Sequence, residues 1–130
     1  MEHTIRAAFR FETVNWGISD EFIEGHPNLL EIAGEIDPMS MVPAYMAWCV
    51  RNKDRYDQVV TDYTIDAIAV YGRSGDGTAL SGFKRQCSGE QRHAVVAFLE
   101  WCTTTLTVVD NEQIERSIKR WLADTWGIER

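Results

Sequence analysis

The stretch MVPAYMAWCV, from Met41 to Val50, constrains the fold more than any other part of the chain. As a helix it is apolar nearly all round, so it has no side to turn to water and belongs in the middle of a bundle. It falls well short of the roughly 20 apolar residues that cross a bilayer. Asp37 reads as its N-cap, with Pro38 at the first helical position, where a missing N–H is no loss. Pro43 is either a second start or a kink, because it cannot donate the helical hydrogen bond.

The helices to surround it are spaced along the rest of the sequence. The clearest opens at Ser88 and Gln91, an S-x-x-Q capping box in which the hydroxyl takes an orphan N–H and Gln91 reaches back to the cap. Ala94, Val95, Phe98, Leu99, Cys102 and Leu106 then hold helical spacing until the β-branched TTTLTVV weakens it. Asp110 and Gln113 repeat the arrangement before a last helix. Its buried stripe is Ile114, Ile118, Trp121, Leu122 and Trp126, and Gly127 ends it. Residues 3–14 bring Ile5, Ala8, Phe9 and Val14 near one helix face, Asp20–Glu24 allow one turn, and Asn28–Ile36 reads as a short helix.

VVTDYTIDAIAVY fits two periods. A helix gathers Val60, Tyr63, Thr64, Ala67, Ile68 and Tyr71, whereas a strand alternates Tyr63, Ile65, Ala67, Ala69 and Tyr71. Ile68 and Val70 spoil the strand's polar face, and the run exceeds the usual strand length, so a helix is expected. Residues 1–130 then form a single all-α domain, a bundle of five or six helices with a long glycine-rich loop.

The formal net charge of −7 is concentrated at one end: residues 1–40 hold eight acids and two arginines. Asp20, Glu21, Glu24, Glu31, Glu35 and Asp37 follow one another with no Lys or Arg between them. A nucleic-acid backbone or an anionic membrane surface calls for clustered cations, so neither is an expected partner. A basic protein is compatible with this segment, and so is a solubilising face with no partner. MEHTIRAAFRFETV lacks the apolar core of a signal peptide and carries acids that a transit peptide avoids, which gives a cytoplasmic expectation.

YGRSGDGTALSGFKRQCSGEQ, from Tyr71 to Gln91, follows an apolar run as a phosphate loop follows a strand. It lacks the Lys-Ser/Thr of a G-x-x-x-x-G-K-[ST] loop, and Gly75-Asp76-Gly77 fails the G-x-G-x-x-G spacing. The stretch reads as a surface loop in which Arg73, Lys84 and Arg85 are local contacts, and no cofactor is expected. Cys49 and Cys102 lie in apolar helical patterns and read as core, while Cys87 sits in the polar connector as an exposed thiol. His3, His26 and His93 are isolated, so no metal site or nucleophile–base pair is expected, and His93 reads as a surface residue. Asp54, Asp57, Asp62 and Asp66 are either a carboxylate cluster or, more simply, a solvated face. Among the five tryptophans, Trp16 lies in a loop beside the acidic segment and Trp101 falls off the Phe98–Cys102 face. Both are candidate partner contacts, with partial burial as the plain alternative.

VPAYMAWCV (Val42–Val50) and CSGEQRHAVVAFLEW (Cys87–Trp101) together resemble a family of small uncharacterised bacterial proteins, a domain of unknown function. That family shows a Pro-Ala-Tyr helix, a loop, and a Ser/Thr-x-x-Gln-x-x-x-Val-x-x-Phe-Leu helix. The matching residues are Pro43, Ala44 and Tyr45, then Ser88, Gln91, Val95, Phe98 and Leu99, within a likeness spanning about Ile36 to Trp101. The resemblance implies a bacterial α-helical protein and supplies no catalytic residues.

The leading expectation is therefore a non-catalytic, acidic protein-binding module, with an immunity protein or antitoxin that neutralises a toxin as its concrete form. Its contact residues are Trp16, Asp20, Glu21, Glu24, Glu31, Glu35 and Trp101. Two alternatives stand beside it: a small metal-dependent hydrolase using the aspartates around Asp62, and a structural homodimer joined through the apolar surplus of residues 43–50.

Overall fold

Short-range capping chemistry decides where most of the helices begin. The computed structural model describes residues 1–10, 17–55, 57–73, 82–107 and 109–123. Within them run α1 (Glu2–Ala8), α2 (Asp20–Gly25), a 3-10 turn (Leu29–Ile32), α3 (Pro38–Arg51), α4 (Val59–Gly72), α5 (Gly82–Gln86), α6 (Gly89–Thr105) and α7 (Asn111–Leu122). Among the described residues the protein is an all-α bundle without strands, with seven α-helices rather than five or six. Asp37 Oδ1 accepts from the Met39 N–H at 3.0 Å. Ser88 Oγ accepts from Gln91 N at 3.1 Å while Gln91 Oε1 accepts from Ser88 N at 2.8 Å, the expected reciprocal box. Asp110 Oδ1 accepts from Gln113 N at 3.1 Å. Ser19 caps α2 in the same way, its Oγ accepting from Phe22 N at 3.1 Å.

α3 is one continuous helix through Pro43, and it is the centre of the bundle. Met41, Val42, Ala44, Tyr45, Met46, Ala47, Trp48 and Cys49 are each at most 2% exposed. α1, α4, the 3-10 turn, α2 and α5 pack around it, so residues 43–49 are buried by the chain itself and offer no face to a second copy. α6 lies against α7 and α1, and α4 bridges α3 and α7.

Several expected boundaries shift. α1 stops at Ala8 although its apolar spacing continues, and Val14 lies outside the described residues. The short helix expected over residues 28–36 is a four-residue 3-10 turn, with Asn28 Oδ1 accepting from Leu30 N at 3.2 Å. α4 is helical as expected, but it buries Ile65 and Ala69 and leaves Tyr63 exposed. α7 ends at Leu122, which is exposed rather than part of the stripe; Trp126 and Gly127 lie outside the described residues.

The glycine-rich stretch departs furthest from a plain loop. Residues 74–81 lie outside the described residues, but Gly82–Gln86 is a helix that seats Phe83 in the core. The Phe83 ring meets Phe9 at 6.1 Å, Tyr71 at 5.2 Å and Trp121 at 5.8 Å. Lys84, expected as a surface contact, is buried and donates from Nζ to Gly72 O at 3.4 Å and to Arg120 O at 2.5 Å. Cys87 is buried too, and burial pushes its thiol up to about 12, so the exposed thiol expected there is a core residue. Beside them α4 and α7 approach closely. A Cβ on Gly72 would stand 2.6 Å from Trp121 Nε1, which itself donates to Ile68 O at 3.0 Å.

No helix among the described residues is long and apolar enough to cross a membrane.

Candidate functional site

The acids of residues 20–37 are exposed and lie on α2, the 3-10 turn and the link to α3, and they divide into two groups. Asp20 and Glu24 are held from within. Arg51, at the end of α3, places Nη2 2.6 Å from Asp20 Oδ1 and Nη1 3.0 Å from Glu2 Oε2. Glu2 also pairs with Arg6 at 2.7 Å. Partial burial alone would raise the Glu2 carboxyl, but the hydrogen bonds and charges of Arg6 and Arg51 outweigh it and hold the group below its ordinary value. Glu24 Oε2 accepts from Trp48 Nε1 at 3.1 Å and pairs with Arg55 Nη1 at 2.9 Å, while the Arg55 guanidinium lies 5.4 Å from the Trp48 ring centre. Tyr45 ties down the segment after α2 by donating to His26 O at 2.6 Å.

Glu21, Glu31 and Glu35 form the second group. All three are exposed, and none makes an ion pair or hydrogen bond with another described side chain. Asp37, the sixth acid, is occupied as the cap of α3. Of the acids expected as partner contacts, Asp20 and Glu24 are thus engaged within the chain as anchors of α2.

Trp101 is not brought to these acids. Trp101 is half-buried on α6, stacked on Phe98 at 6.0 Å along the seam of the bundle, and no described contact joins it to the acids. Trp16 lies outside the described residues. Sequence reasoning missed Arg51 and Arg55, which close the charge balance of α2 from about 30 positions away. Their signal was faint: two arginines four apart, just past the end of the all-apolar helix.

The aspartates near Asp62 line a depression of about 210 Å³ with Ile65, Asp110 and Gln113. Asp66 Oδ1 accepts from Gln113 Nε2 at 2.8 Å and Asp110 caps α7, so both carboxylates are engaged in holding α7. Partial burial, then the charges of Asp66 and Asp57, raise the Asp62 carboxyl above its ordinary value. Among the described residues no three His, Cys, Asp or Glu side chains gather as a metal site requires. Neither a protein-family model, nor a curated protein, nor a solved structure matches this chain.

Proposed function

We propose that this chain is a non-catalytic protein-binding module that docks a basic protein through its acidic face, and that its concrete role is that of an immunity protein or antitoxin neutralising a cognate toxin. The observation that carries the reading is the set of exposed carboxylates Glu21, Glu31 and Glu35, which pair with no cation among the described residues, beside an α2 whose Asp20 and Glu24 are paired. Unmatched charge on a fixed surface steers an oppositely charged partner and sets register more than it adds affinity. The pairing of Asp20 and Glu24 supports the reading in a second way, by anchoring the helix that presents Glu21.

The test uses a basic, growth-inhibiting protein encoded beside this chain. The Glu21→Gln/Glu31→Gln/Glu35→Gln variant should associate roughly 10-fold more slowly at low salt, with a flatter salt dependence. Equimolar wild-type chain should abolish the partner's toxicity. An unchanged association rate would sink the acidic-face reading, and undiminished toxicity would remove the immunity role. A hydrolase centred on Asp62 has less in its favour, because Asp66 and Asp110 are committed to α7. A thermal shift with Mg²⁺ or Mn²⁺ would speak for it.

A further inference from the structure

At the N-terminal end of α6, residues of α5, α6, α7 and the link between α5 and α6 line a recess of about 590 Å³. That volume lies within the roughly 300–1,000 Å³ of small-molecule sites. Among the described residues its charged lining is of one sign: Arg85, Arg92 and His93 line it and no described carboxylate does, in a chain whose formal net charge is −7. Glu90, their neighbour in sequence, is exposed and does not line it.

We infer that this recess binds a small organic phosphate, a phosphomonoester carried on a compact apolar body.

The three basic side chains are differently disposed. Arg92 donates from Nε to Lys84 O at 3.2 Å, which fixes the plane of its guanidinium. Arg85 and His93 are exposed and make no hydrogen bond or ion pair with a described residue. The planar Arg85 guanidinium matches phosphate oxygens in a pair, the imidazole contributes an N–H donor in either protonation state, and Arg92 adds positive charge to the lining. Cys87 adds no negative charge, since burial keeps its thiol protonated. Gly89, the first residue of the 17-residue α6, lines the same recess, so the positive end of that helix adds to the field.

Part of the wall is apolar. Leu122, 53% exposed and one of three large hydrophobic side chains in that state among the described residues, lines the recess together with the mostly buried Trp121. An inorganic ion would leave that wall wet, whereas an ester group would cover it. None of the lining residues belongs to the acidic segment, so this site stands apart from the protein-docking face.

Calorimetric titration of the full chain with phenyl phosphate at low salt tests the assignment. Saturable one-to-one binding is expected, weakened at least ~10-fold in Arg85→Ala/His93→Ala, as loss of charge-assisted hydrogen bonds implies. Both positions are exposed, and an unchanged melting curve verifies that the variant folds. Inorganic phosphate and benzoate should each bind more weakly, the first for want of an apolar body and the second for want of the second charge. Absence of saturable binding, or equal binding by the double variant, overturns the site. Inorganic phosphate binding as tightly overturns the apolar wall's role, and benzoate binding as tightly overturns the choice of phosphate.

Discussion

At the α2 face, Arg51 reaches Glu2 and Asp20 with side chains that stay partly in water; where α4, α5 and α7 meet, Lys84 reaches two backbone carbonyls in the interior. Both cations join elements distant in sequence, but the physics differs. The arginine pairs are screened and already solvated when unmade, so each is worth no more than about 1 kcal/mol. Gly72 and Arg120 lie in the last turns of α4 and α7, where carbonyl oxygens have no helical partner. A single, largely buried ammonium therefore serves two helix ends at once. The contrast teaches that the charged surface can be redrawn at small cost, whereas the interior joint cannot.

Four substitutions, measured by urea unfolding, test that contrast in falling order of effect. Phe83→Ala empties the centre of the Phe9–Tyr71–Trp121 cluster and should cost about 3–5 kcal/mol. A cost under about 1 kcal/mol would mean that α5 is not what closes the joint. Lys84→Met keeps the apolar stem but strands the two carbonyls, for an expected loss of about 1.5–3 kcal/mol. A loss no larger than that of a surface pair would erase the difference between the two regions. Gly72→Ala pushes a methyl against the Trp121 indole and should cost about 1–3 kcal/mol, with a displaced indole N–H resonance as the local sign.

Arg51→Gln should cost at most about 1 kcal/mol near neutral pH. Its pH dependence is sharper than its size. The Glu2 carboxyl is held below its ordinary value, so its contribution is complete above the ordinary carboxylate range and is lost as pH falls through the lowered folded value. Losing Arg51 should make the acid-side decline shallower, and an unaltered acid limb would assign the effect to Arg6 alone.

The features legible in the sequence are those whose partners lie within a few positions. Asp37, Ser88, Gln91 and Asp110 work as caps because each needs only a neighbour two or three residues away. The burial of α3 was equally plain, since no polar face exists to contradict it. α5 was hidden because five residues are too few to display a period or to hold a helix alone; Phe83 is ordered by rings from three other segments. The seating of Cys87 follows from the same docking. In α4 the stripe was misjudged at Tyr63 because most of that helix is apolar, so spacing alone did not say which side meets α3 and α7. Among the acids the carboxylates were readable, but their sorting was not: Arg51 arrives from the end of α3 and Arg55 from the turn after it.

The buried thiols have a use that goes beyond packing. Cys49 and Cys102 are buried on α3 and α6, Cys87 on the link between α5 and α6, and burial raises all three away from the reactive thiolate. A thiol reagent therefore reaches Cys49 and Cys102 only when their own part of the molecule opens, whereas Cys87, which lines the recess beside α5, stands nearer to solvent. Cys49 and Cys102 serve as internal clocks: unequal rates report that α3 and α6 are exposed separately, and equal rates report a single cooperative opening.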